Sequence, residues 1–166
     1  MNDSSAAFDT AFMDGASAFA CRPRDADDGD FLLGCALACS PMAGLLPHPM
    51  LVQQAEFQRR AHDNAHPHAM HRILTRAGTP IGHLRIAWGE QSTHLIDIAI
   101  LPDHQRGGAG SQALRAWLAV ADAQQLTATL EVQPGNPARG LYARLGFVEV
   151  NPDPYAANID MRRLPA

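Results

Sequence analysis

The stretch DHQRGGAGSQALRAWL, Asp103 to Leu118, carries three glycines in four positions (Gly107, Gly108 and Gly110) and then turns at once into helical sequence. A loop needs that much backbone freedom where the main chain must come close to something. Before it runs THLIDIAIL, Thr93 to Leu101, an apolar strand with one carboxylate, Asp97, closed by Pro102. After it, Ala113, Leu114, Trp117, Leu118 and Ala121 keep the i, i+3, i+4 rhythm of an amphipathic helix. A glycine loop between a strand and a helix suits an anion: the first helical amides lack internal partners, and the helix dipole adds partial positive charge.

Three kinds of phosphate site use such a loop. A P-loop needs G-x-x-x-x-G-K-[ST], and no lysine stands near this one. A dinucleotide fold is a closer match: Gly108 to Ala113, GAGSQA, reads G-x-G-x-x-A, and Glu131 follows where a ribose-binding acid would stand. Its first glycine, however, should follow the strand directly, and PDHQRG intervenes. The third kind is a pyrophosphate loop, Gln105-x-x-Gly108-x-Gly110, in which the amides of Arg106, Gly107, Gly108, Ala109, Gly110 and Ser111 wrap the anion and Arg106 adds charge at the rim.

Working outward, AFACRP reads as a first strand, and DADDGD places carboxylates where a helix begins. FLLGCALACS continues that helix until Pro41; Pro49 opens a second one, which Pro67 ends. HRILTRAGTPIGHLRIAWG reads as two strands joined at Ala77–Gly78–Thr79. TATLEV is a strand, and PGNPARGLYARLG a short helix with Asn136 as N-cap, Pro137 at its first position and Gly146 past its end. FVEV and NIDMRR are the last strands, with NPDP turning between them. Residues 1–17 read as a flexible, loose or partly docked tail and residues 18–166 as one domain with a mixed sheet.

Composition narrows the classes. The 166 residues carry a net charge of −4 and no dense basic run, so no nucleic-acid partner is expected. Three cysteines, Cys21, Cys35 and Cys39, make no disulfide framework. Cys35 and Cys39, one turn apart, read as buried helix-face thiols. With no signal-like N-terminus and no apolar run near the ~20 residues of a membrane span, a cytoplasmic protein without membrane contact is expected.

The glycine loop does not stand alone. NPARGLYARLGF, Asn136 to Phe147, lies one helix, one strand and a connector downstream of it. Together the two motifs resemble those of the GNAT superfamily of N-acetyltransferases, and the element order from about Phe19 to Leu164 is similar to that family's throughout. The resemblance implies the GNAT α/β (α+β) fold: a mixed, mostly antiparallel sheet of about seven strands flanked by about four helices. It implies acetyl-CoA as co-substrate, no metal, and a small-molecule or peptide amine as acceptor, attacked in a ternary complex. A homodimer is compatible with it. A non-catalytic acyl-CoA sensor on the same fold is the rival reading, disfavoured by the retention of Tyr142.

By the same resemblance, Ile98, Ala99 and Ile100 offer main-chain groups to the pantetheine arm, with the Ile100 amide as oxyanion donor. Residues 106–111 take the pyrophosphate, Asn136 bonds the cofactor further along, and Tyr142 stands where the family places its general acid. Two carboxylates compete as base. Glu131 matches the catalytic Glu of ribosomal-protein N-terminal acetyltransferases, while Asp97 is a lone acid in an apolar strand, where burial favours a base that works near neutrality. Either acid alternatively only pairs with an arginine. HDNAHPHAMH, with His62, His66, His68 and His71, reads first as a solvated helix end; an acceptor-site rim and a metal site broken by Pro67 are the alternatives.

Overall fold

A computed structural model describes residues 3–13, 18–150, 153 and 155–166. In chain order these form α1 (Asp3–Met13), β1 (Phe19–Pro23), α2 (Gly29–Cys39), α3 (His48–Ala65), β2 (Met70–Arg76), β3 (Thr79–Trp88), β4 (Ser92–Ile100), α4 (Ala109–Ala123), β5 (Thr127–Val132), α5 (Arg139–Arg144), β6 (Val148–Glu149) and β7 (Ile159–Arg163). The seven strands make one sheet in the order β1-β2-β3-β4-β5-β7-β6. Only β4 and β5 run parallel; every other pair is antiparallel. The mixed, mostly antiparallel sheet is as expected, and the turn at NPDP lies outside the described residues except for Asp153.

Local chemistry sets the ends of these elements. Asp25 and Asp28 form a capping box ahead of α2, and Arg22 grips Asp28 with two bonds of 2.8 and 2.6 Å. Pro49 sits in the first turn of α3. Ala77 and Gly78, with φ of 49° and 80°, make the two-residue hairpin between β2 and β3, a turn whose twist matches that of the strands. Gly82 is needed for a different reason: a Cβ there would lie 2.3 Å from the Ala99 carbonyl oxygen, so β3 approaches β4 too closely for any side chain.

Of residues 1–17, expected as a loose or partly docked tail, Asp3–Met13 form α1, which is docked. Phe8 and Phe12 are fully buried and stack at 5.9 Å in the main core, against the side of the sheet that also carries α4. Polar bonds fasten the same helix: Gln112 Nε2 donates to the Phe12 carbonyl at 2.8 Å, and Arg72 holds Asp9 at 2.7 and 2.9 Å. Residues 14–17 of that segment lie outside the described residues. With α1 the described helices number five.

The helices cover the two faces unequally. On one face α4 buries Ala113, Leu114, Trp117, Val120 and Ala121. Trp117 donates from Nε1 to Thr93 Oγ1 at 2.9 Å, and Thr93 passes its own hydrogen to the Ala87 carbonyl, so both buried polar groups are satisfied. On the other face α2 and α3 pack together across β3 and β4. That second layer is thinner: of α3 only Leu51 is buried among its apolar residues. The gap left between helices and sheet is a cavity.

Candidate active site

Strands β4 and β5 part company halfway. They pair from Ser92↔Thr127 to Leu95↔Leu130 and no further. A bulge places the extra residue Ile96 between Leu95 and Asp97 in the register with β3, which bends β4 away from its parallel neighbour. Beyond it, Leu101 donates to the Ile81 carbonyl at 2.8 Å. Antiparallel alternation then turns the amides of Ile98 and Ile100 away from β3, into the opening beside β5. The Ile100 carbonyl also faces away and accepts from Gln105 Nε2 at 2.8 Å and from the Cys39 thiol at 3.3 Å. Ala99, opposite His83, keeps its place in the ladder.

The glycine loop closes one side of this opening. Arg106 and Gly108 take φ of 61° and 98°, and α4 starts at Ala109. The amides of Arg106, Gly107, Gly108, Ala109, Gly110 and Ser111 donate to no backbone carbonyl among the described residues. A Cβ on Gly108 would meet nothing within 4 Å. One on Gly110 would touch Ile100 Cγ1 at 3.6 Å and Ile98 Cδ1 at 3.9 Å, so the helix start lies directly against the free end of β4. Six successive amides without a backbone partner among the described residues, running into a helix N-terminus, supply the partial positive charge of an anion site.

Across the opening stands α5. Asn136 stands in the turn ahead of it: its Oδ1 accepts from the Ala138 amide at 2.9 Å, but the helix begins at Arg139, two residues later than expected, so Asn136 is not its N-cap nor Pro137 its first residue. Gly146, with φ of 91°, ends it. Tyr142 is 6% exposed, with its ring edge-on to Phe147 at 6.1 Å. Its hydroxyl takes no hydrogen bond among the described residues. Burial pushes the phenol up to about 12, and the Asp97 carboxylate adds to the rise through space. The phenol therefore stays protonated throughout the neutral range, and Asp97 and Tyr142 sense each other across the cleft.

On the far face of the sheet, a cavity of about 360 Å³ opens between α2, α3 and the strands. Leu32, Leu33 and Ala36 of α2 give it an apolar wall. Its floor is Asp97, His83, Arg85 and His71, with His62 and Asp63 descending from α3. The expected burial of Asp97 is corrected: its side chain is 43% exposed, into this cavity, because the splay leaves β4 uncovered there. Arg85 is buried and bonded to Asp63 at 2.8 Å, though its Nε finds no partner among the described residues.

Glu131 lies elsewhere. It is exposed, accepts from Asn158 at 3.2 Å, and does not line the cavity. The reading of the histidine stretch as a solvated surface is corrected for two of its members. His62 and His71 line the cavity, while His66 stacks on His94 at 5.8 Å beside it. His83 escaped the sequence reading altogether. The available signal was the alternation His83, Arg85 in an otherwise apolar strand, polar residues aimed at one face. Cys35 is buried and Cys39 half-buried, both as free thiols, and the hydrogen bond between them, followed by burial, raises that of Cys35.

Comparison with known proteins gives this geometry a context. The Acetyltransferase (GNAT) family profile matches residues 30–147. No curated protein sequence matches. Among solved structures, the chain resembles the PaiA N-acetyltransferase from Thermoplasma acidophilum in complex with coenzyme A, with a TM-score of 0.69 at 14% identity over 88% of this chain and 98% of that one. It resembles the ribosomal-protein-S18-alanine N-acetyltransferase from Escherichia coli with a TM-score of 0.61 at 21% identity, over 89% and 94% of the two chains. A spermidine N-acetyltransferase SpeG chimera from Vibrio cholerae and hSSAT gives 0.63 at 22%, over 89% and 96%. These likenesses concern the fold, whereas the family profile spans both sequence motifs and most of the chain. With its split sheet, glycine loop and Tyr142 helix, this chain belongs to the GNAT acetyltransferase family.

Proposed function

We propose that the protein transfers the acetyl group of acetyl-CoA to a primary amine by direct attack in a ternary complex. The observation that carries this reading is the end of β4 beyond Leu95, unpaired with β5, which has the amides of residues 106–111 beside its tip and the cavity floored by Asp97 on one face. The anion of the cofactor belongs at the first, its pantetheine beside Ile98, Ala99 and Ile100, and Asn136 at its flank. The acceptor belongs at the second. Its volume, in the range of small-molecule sites, suits a small amine or the end of a chain.

The chemistry divides among four groups. An amide at Ile98 or Ile100 stabilises the oxyanion that forms on the thioester carbonyl. Asp97, which opens into the acceptor cavity, removes the ammonium proton; Glu131 lies outside it. The amine lone pair forms the new C–N bond, the C–S bond breaks, the Tyr142 hydroxyl gives its proton to the leaving sulfur, and the phenolate is restored by the second proton that the nitrogen sheds as the amide forms. Calorimetric titration with acetyl-CoA tests the cofactor half. Wild type should bind, and Gly108→Val should lose affinity by ~100-fold or more, since a β-branched side chain resists φ near +98° and projects into the anion site. Unchanged affinity would refute the anion site. A panel of amines scored for free thiol then tests turnover; binding without turnover of any amine would favour the sensor reading.

A further inference from the structure

Three side chains from three adjacent strands meet on the cavity floor. His71 of β2 and Asp97 of β4 both stand opposite Arg85 of β3, and His83 lies two residues along the same face. His71 Nε2 is 3.3 Å from His83 Nδ1. His83 Nε2 is 3.7 Å from Asp97 Oδ2. The imidazole rings sit 5.2 Å apart, tilted by 59°, and His83 is 6% exposed. A buried histidine between a second histidine and a carboxylate is not required by packing, because an apolar residue would fill that place without the desolvation cost.

We propose that His83 and His71 are positioning residues for Asp97 as general base: through one fixed pair of tautomers they hold its carboxylate toward the acceptor ammonium. The proposal rests on the acetyltransferase reading above. The charged and titratable groups around the pair are Arg85 on β3, Asp97 on β4, Glu56, Arg59, His62 and Asp63 on α3, Arg24 after β1 and Asp30 on α2, while Cys35 and Cys39 of α2 act on Asp97. Burial dominates among their influences and holds His71 down to about 3. It lowers His83 as well, against the opposing pull of Asp97. Both rings are therefore neutral near pH 7, and each has one N–H and one lone pair.

A carboxylate only accepts hydrogen bonds, so His83 must turn Nε2–H toward Asp97 Oδ2. Its Nδ1 is then a bare acceptor, which the Nε2–H of His71 satisfies. Each tautomer dictates the next. The 3.7 Å contact is too long for a hydrogen bond at rest, and such contacts in unliganded sites tighten when the reactants are bound. Asp97, half-exposed, has the room to close it. In the step itself an N–H bond of the ammonium breaks and its proton joins Asp97 Oδ1. The electron pair stays on nitrogen for attack on the thioester, and both histidines keep their own protons throughout. The neutral acid later loses its proton to water.

The test is a pH–rate profile at saturating acetyl-CoA, taken with the fastest of three probe amines: spermidine, an alanine-initiated peptide and phenylalanine methyl ester. His83→Leu should lower kcat by ~10-fold or more and leave the acetyl-CoA KM unchanged. It should also move the acidic limb up by about one pH unit, because a donor that favours the carboxylate is gone. His83→Gln retains an N–H donor and should recover most of the rate, and His71→Leu should fall between the two. An unmoved limb in His83→Leu, or no advantage of Gln over Leu, overturns the proposal. Nitrogen-15 NMR decides it without turnover. Both rings should be Nε2–H tautomers in the wild type, and Asp97→Asn should release His83 into a mixture; a wild-type His83 protonated on Nδ1 overturns the proposal. Failure of the acetyltransferase reading looks different: the wild type then binds no acetyl-CoA, or binds it and turns over no amine.

Discussion

Replacing Tyr142 by Phe removes one oxygen atom and nothing else, which makes it a sharp test of what that oxygen does. The ring is almost wholly buried against Phe147 and stays so in the variant. The hydroxyl has no hydrogen-bond partner among the described residues, so no donor or acceptor is orphaned by its loss. Stability should therefore change by no more than about 0.5 kcal/mol, the range of substitutions that break no contact. Turnover should respond quite differently. A positioned acid contributes at least ~10²-fold, about 2.7 kcal/mol of barrier. The assay pairs thermal unfolding with thiol release at saturating acetyl-CoA, and calorimetry fixes the acetyl-CoA affinity, which should not move. If the melting temperature drops by several degrees while turnover survives, Tyr142 is a core residue and its catalytic assignment is wrong.

Phe8→Ala should cost about 3–5 kcal/mol in denaturant unfolding, because α1 is anchored by fully buried rings; a loss under 1 kcal/mol would mean that α1 is only loosely docked in solution. Acid should destabilise the protein in two stages. His71 binds its proton near 6.5 when unfolded but only at about 3 when folded, so its share of stability is present above 6.5 and drains away as pH falls toward 3. Asp28, held at about 2 by Arg22, adds stability present above about 3.8 that is lost as pH falls through 2. A melting temperature flat from pH 7 to 4 would contradict the first stage.

How far the sequence reaches is clearest at particular residues. Gly108, Asn136 and Gly146 were legible because each meets a local need, a positive φ or a capped amide, that neighbouring residues suffice to define. The strand and helix order followed from Pro41, Pro49, Pro67 and Pro102, which punctuate the backbone wherever they stand. The surroundings of Asp97 were not legible. Its exposure depends on a bulge at Ile96 and on pairing that stops at Leu95, both properties of the assembled sheet. His71, His83 and Asp97 are brought together by register alone, at separations of 12 and 14 residues. The first helix hid for a different reason: among its small and polar residues only Phe8 and Phe12, at i and i+4, are large side chains that the core buries.

The electrostatic contact between Asp97 and Tyr142 gives the proposed reaction an order of events. An ionised Asp97 makes the phenol a poorer proton donor. Once Asp97 has taken the proton of the amine it is neutral, and that restraint disappears. The leaving sulfur is thus offered its proton most readily after a nucleophile has been made. Linkage requires the converse too: whatever favours the charged carboxylate holds the phenol back, so the two proton sites behave as an interlock. In the proposed reaction the interlock holds until an acceptor ammonium has given its proton to Asp97.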